Sequence, residues 1–109
     1  MIRLATILAG VFAVTGALAA SAEKGKTAYV QHGCWQCHGF EGQGTAVGSK
    51  LAPDPLALEA FSAFIRSSNR AMPPYSETIL SNADLADIHA YLQSIPKGAD
   101  YKSIPLLSQ

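Results

Sequence analysis

The chain has 109 residues, enough for one small domain, with eight basic and eight acidic side chains and a formal net charge of zero. That balance, without any basic stripe, excludes an extended nucleic-acid-binding face. Only two cysteines are present, three positions apart, so no framework of several disulfides holds the fold.

Met1-Ile2-Arg3 supplies a positive start, and Leu4 to Ala20 is uncharged and rich in Ala, Leu and Val. Ala17-Leu18-Ala19 and Ala20-Ser21-Ala22 both fit a small-x-small cleavage site. Residues 1–22 therefore read as a secretory signal peptide that exports the protein to the periplasm. The apolar run is short of the usual spanning length, so no stable membrane insertion is expected. Removing 22 of the 109 residues leaves 87, with seven cations against eight carboxylates. A domain that short has a thin core and calls for a staple or a cofactor.

A first helix is predicted from about Ala22 to His32, with Gly25, Ala28 and Tyr29 on one face. Gly33 stops it. Cys34-Trp35-Gln36-Cys37-His38 follows. A Cys-x-x-Cys-His run is a site of covalent haem attachment. Two cysteines at this spacing reach the two vinyl groups on one edge of a porphyrin, and the adjoining histidine lies under the iron as an axial ligand. The expected cofactor is one covalent haem c with its iron, held by Cys34 and Cys37 and ligated by His38.

Gly39 to Pro55 carries four glycines in its first ten residues and reads as loop. A second helix is predicted from Asp54 as N-cap and Pro55 as first helical residue. Ala57, Phe61, Phe64 and Ile65 form its apolar face, and Asn69 is expected to close it in the left-handed conformation. Met72 then stands in Arg70-Ala71-Met72-Pro73-Pro74-Tyr75. The prolines disfavour helix here and stiffen the loop. Met72 is the only thioether left after removal of the leader, and it is the expected sixth ligand. His32 and His89 compete poorly: His32 is too near the haem-bearing turn, and His89 is expected on the surface. Ligation by His and Met raises the reduction potential by favouring ferrous iron.

A third helix follows Ser81 as cap, with Asp84 in the first turn, and Pro96 ends it. Leu85, Ile88, Tyr91, Leu92 and Ile95 make its apolar face. Residues 97–109 form a tail whose Ile104, Leu106 and Leu107 are expected to fold back on the body. Among the polar residues, Arg70, and less so Arg66, Trp35 and Tyr75, are candidates to approach the haem propionates.

These residues resemble the small bacterial class I, mono-haem c-type cytochromes over residues 23–96. Gly25-x-x-x-Tyr29-x-x-x-x-Cys34-x-x-Cys37-His38-Gly39 carries the resemblance, with Ile88 and Tyr91 at the matching positions of the last helix. It implies an all-α, cytochrome c-like fold of three to four short helices around one covalent haem, with the first helix crossing the last near Gly25. It also implies a periplasmic one-electron carrier rather than an enzyme. The redox partners it suggests are a periplasmic dehydrogenase, of which the chain would be the electron-accepting subunit, another cytochrome or a terminal oxidase. One departure stands out. The family usually has Gly-Pro-x-Leu where this chain has Gly48-Ser49-Lys50-Leu51, so the carbonyl that accepts a hydrogen bond from the ligand histidine falls to Ser49. The short spacing from His38 to Met72 implies trimmed loops and an exposed haem edge.

Other readings of the same residues are a haem enzyme or gas sensor with an open sixth site, a thiol oxidoreductase using Cys34 and Cys37, and a zinc site built from Cys34, Cys37, His38 and His32. The second of these requires a strand before the motif, where the pattern here is helical.

Overall fold

The computed structural model describes residues 18–108. The leader assigned to residues 1–22 falls largely outside that range. Among the described residues the protein is helical with no strand, in agreement with the all-α expectation.

Helix α1 (Ala22–Gln31) opens on Ser21, whose hydroxyl accepts the Lys24 amide at 3.2 Å. Such a cap satisfies one of the first-turn amides that have no helical partner. The Ser21 amide donates to Asp87 Oδ1 at 2.6 Å, which ties the start of α1 to a residue in the last helix. Gly33, at φ 74°, turns the chain into α2 (Trp35–His38). After a long loop come α3 (Leu58–Ser67) and α4 (Asn82–Ser94). Ser81 caps α4 by accepting the Asp84 amide at 3.0 Å. A single 3₁₀ turn at Tyr101–Ser103 interrupts the tail.

The packing of α1 on α4 is what places the motif. A Cβ at Gly25 would overlap the Asp87 carbonyl and crowd the Ile88 amide, so only glycine permits this approach of two backbones. One turn further on, the rings of Tyr29 and Tyr91 pack at a 59° tilt, 5.6 Å between centroids. Their hydroxyls reach past the crossing. Tyr29 donates to the Gly39 carbonyl at 2.7 Å and Tyr91 to the Phe40 carbonyl at 2.8 Å. Two consecutive residues after His38 are thus pinned by the two crossing helices. Burial holds the Tyr29 phenol well above the usual tyrosine range, with nearby Cys34 and Tyr91 adding to it. Leu80, Leu85, Ile88 and Leu92 complete the core, and α3 contributes Phe61 and Ile65.

Several local expectations are corrected. The helix after the loop starts at Leu58, not at Asp54 and Pro55. Ala57 is extended (φ −51°, ψ 143°), and the Leu56 carbonyl accepts from the imidazole of His89 at 2.8 Å instead of from a helical amide. That same bond moves His89 from the expected surface into the core, where its ring meets Phe61 edge-on at 5.4 Å. Asn69 does not take a left-handed cap: among the described residues no non-glycine has positive φ, and α3 ends with Ser68 extended. Phe64 is half exposed. In the tail, Ile104 is partly covered, but Leu106 and Leu107 stand in solvent and do not fold back.

Candidate haem site

The short helix α2 explains the spacing of the motif. His38 N–H donates to Cys34 at 3.1 Å and Gly39 N–H to Trp35 at 2.9 Å, so one helical turn spans the five residues. Positions i, i+3 and i+4 share a helix face. Cys34, Cys37 and His38 accordingly line the same cavity. Trp35 lies off that face and stacks on Phe40 with ring centroids 4.5 Å apart and planes 9° from parallel. The two cysteines form no disulfide with each other. Burial pushes the Cys34 thiol up to about 11. Thiol–disulfide enzymes need the opposite, a thiol acidified by its surroundings. The raised thiol and the helical segment before it leave no support for the oxidoreductase reading. Nor do three or more His, Cys, Asp or Glu side chains converge into a metal cluster among the described residues, which removes the geometry a zinc site needs.

His38 is oriented by the loop that follows it. Its Nδ1 lies 2.7 Å from the Ser49 carbonyl, which fixes Nδ1 as the protonated nitrogen and leaves Nε2 as the donor for a metal. The loop is folded back to make this possible. Gly44 N–H donates to the His38 carbonyl at 2.8 Å, and the Thr45 hydroxyl donates to the Cys37 carbonyl. Thr45 Oγ1 in turn accepts the Val47 and Gly48 amides at 3.2 and 3.3 Å. A Cβ on Gly48 would collide with the Cys37 carbonyl, so the loop passes the helix end only because residue 48 has no side chain. The carbonyl of the family pattern is therefore supplied by a residue other than proline, as the sequence implied.

The cavity has a volume of about 690 Å³ and is walled chiefly by apolar side chains. That volume is in the range of cofactor sites, roughly 300–1,000 Å³. Tyr29, Leu80 and Ile88 come from the core; Phe61, Phe64 and Ile65 come from α3; Val47, Leu51 and Leu56 come from the loop after α2. Phe64 thus turns its expected apolar face to the cavity and not to the core. Met72 lines the same cavity, as do Arg70 and Lys50. The four residues singled out from the sequence, Cys34, Cys37, His38 and Met72, are brought together in one place. An apolar cleft presenting two thiols, an oriented imidazole and a thioether fits a covalently held porphyrin and its iron.

Of the candidates for the propionates, Arg70 alone is both exposed and on the cavity wall without another partner shown. Arg66 is committed elsewhere, donating to the Tyr75 and Leu80 carbonyls at 3.0 and 2.7 Å and to Asn82 Oδ1 at 2.7 Å. Tyr75 lines the cavity, but its hydroxyl goes to the His32 carbonyl at 2.9 Å. Trp35 packs on the protein. His89 is not on the cavity wall, whereas His32 is, beside Tyr75. Sequence reasoning missed Thr45 and Ser68. Each is a lone hydroxyl residue in a loop, and nothing in its local pattern marks its partner.

Fold, motif geometry and cavity define a small mono-haem c-type cytochrome domain. Residues 20–92 match the family described as Cytochrome C oxidase, cbb3-type, subunit III, and the chain belongs to that family. No curated protein and no solved structure gave a significant match. As a member of this family the protein carries covalently bound haem c with its iron and acts as a haem-based electron carrier. No helix among the described residues is long and apolar enough to cross a membrane.

Proposed function

We propose that the protein is a periplasmic one-electron carrier in which Cys34 and Cys37 hold the haem through thioether bonds and His38 and Met72 are the axial ligands of its iron. The observation that carries this reading is that the imidazole, set by the Ser49 carbonyl, and the only thioether downstream of the leader line one cavity with both thiols. The haem supplies reversible one-electron exchange at iron. The chain supplies the rest. Apolar walls exclude water and favour the less charged ferrous form, the Ser49 carbonyl sets the basicity of His38, and Arg70 and Lys50 offer positive charge for the propionates.

The leader assigned to residues 1–22 supplies the export signal in this reading, and cleavage after Ala19, the first of the two small-x-small sites, keeps Ser21 as the cap of α1. The donor is a periplasmic dehydrogenase, whose electron-accepting subunit the chain would be. The family description names an oxidase, which fits a terminal oxidase, or a cytochrome feeding one, as the acceptor.

Met72→Ala tests the ligand set. The variant is expected to keep its haem while its reduction potential falls, because the neutral sulfur that disfavours ferric iron is gone. A potential equal to that of the wild type would remove Met72 from the ligands.

A further inference from the structure

The loop carrying Met72 is held mostly to its own neighbourhood. Ser68, buried at the end of α3, donates its hydroxyl to the Met72 carbonyl at 2.7 Å. The Tyr75 amide returns to the Ile65 carbonyl at 2.9 Å, and Arg66 donates to the Tyr75 and Leu80 carbonyls. These bonds anchor the loop to α3 and to the approach to α4. None of them involves the segment that bears the cysteines.

One bond does reach that segment. Tyr75 Oη donates to the His32 carbonyl at 2.9 Å, across 43 positions of sequence. The two rings also meet edge-on, 6.2 Å between centroids at 84°. His32 caps the C-terminal end of α1, two positions before Cys34, and its carbonyl is among those a helix end leaves without a helical partner. The hydroxyl therefore satisfies an acceptor that is fixed by the α1–α4 packing. Through it, the sulfur-bearing loop is joined to the root of the haem-binding turn.

Resting on the proposal that Met72 ligates iron, we infer that Tyr75 is a positioning residue: its bond to His32 straps the Met72 loop to the turn that carries Cys34, and so keeps the sulfur in place against external ligands. A thioether is a weak neutral donor. Its hold depends on how much of the loop's ordering is already achieved before the bond to iron forms. An intramolecular donor tethered at both ends competes at a high effective concentration, and loosening one end lowers it.

The test is cyanide binding to the ferric holoprotein, followed by loss of the red charge-transfer band of sulfur-ligated iron. Three proteins are compared: wild type, Tyr75→Phe and Tyr91→Phe. Tyr75→Phe keeps the ring and loses only the hydroxyl bond; cyanide is expected to bind about five-fold faster, the change that corresponds to one hydrogen bond. Tyr91→Phe removes a similar hydroxyl–carbonyl bond, to Phe40 at 2.8 Å, away from the Met72 loop. It is expected to lose comparable thermal stability while binding cyanide at the wild-type rate. An unchanged rate in Tyr75→Phe, or an equal acceleration in Tyr91→Phe, overturns the strap and leaves Met72 as ligand. A wild-type spectrum with no red band removes Met72 ligation and the strap with it.

Discussion

The imidazole Nδ1 of His38 and the carbonyl of Ser49 are 2.7 Å apart, and this contact decides which nitrogen of His38 is available for coordination. It depends on the loop after α2 lying close against the end of that helix. Gly48 is the residue that permits the closeness. Gly48→Ala is therefore expected to push the loop outward, stretch the His38–Ser49 bond and destabilise the holoprotein by about 1–3 kcal/mol, the usual cost of forcing volume into a packed site. With a weaker bond the imidazole becomes a poorer donor to ferric iron, so the reduction potential should rise. Thermal unfolding and a redox titration check both parts.

Gly25 plays the corresponding role for the whole fold. A methyl group there meets the backbone of Asp87 and Ile88, which cannot move aside as a flexible side chain would. Gly25→Ala is expected to cost about 3 kcal/mol, at the upper end of the overpacking range. The material that does fold should keep a wild-type haem spectrum, because neither Gly25 nor Asp87 lines the cavity. Denaturant unfolding with an absorption spectrum of the folded fraction reads this out.

Replacing one motif cysteine should impair haem attachment, because each of the two thiols supplies one of the bonds to the porphyrin. Cys34→Ala or Cys37→Ala is expected to cut the yield of haem-stained protein in denaturing gels by roughly tenfold or more, since the apolar cavity loses the group that fills it. Normal haem-stained yields would contradict the scheme.

The tyrosines predict an alkaline limit to stability. Burial raises the Tyr29 phenol, and it raises those of Tyr91 and Tyr75 as well. In the unfolded chain tyrosines ionise near pH 10. Above that pH the unfolded state binds fewer protons than the folded one, so stability falls as pH rises. The contribution is complete below about pH 10. Unfolding temperatures measured between pH 8 and 11 should be flat at first and then decline. Tyr29→Phe should reduce the slope of that decline.

The candidate site residues were legible in the sequence because their spacing is local. Cys34, Cys37 and His38 share a helix face through one turn of backbone, and two prolines after Met72 mark a stiff loop in any context. The α1–α4 crossing was legible only through the family resemblance, which pairs Gly25 and Tyr29 with Ile88 and Tyr91. The last helix follows Ser81, as its capping hydroxyl indicates.

What the tertiary structure decided were the contacts between residues far apart in the chain. His89 took the Leu56 carbonyl and held that segment extended, so a strong local start signal at Asp54-Pro55 was overridden. Arg66 was drawn to three acceptors around α4, which left Arg70 at the cavity. Tyr75 found its partner 43 positions away. The sequence by itself determined the cofactor, since covalent attachment of haem is written in a short motif. It did not determine where the loop hydroxyls and the buried imidazole would bond. An unpaired buried polar group takes whichever acceptor the packing brings within about 3 Å, and only the folded chain defines that neighbour.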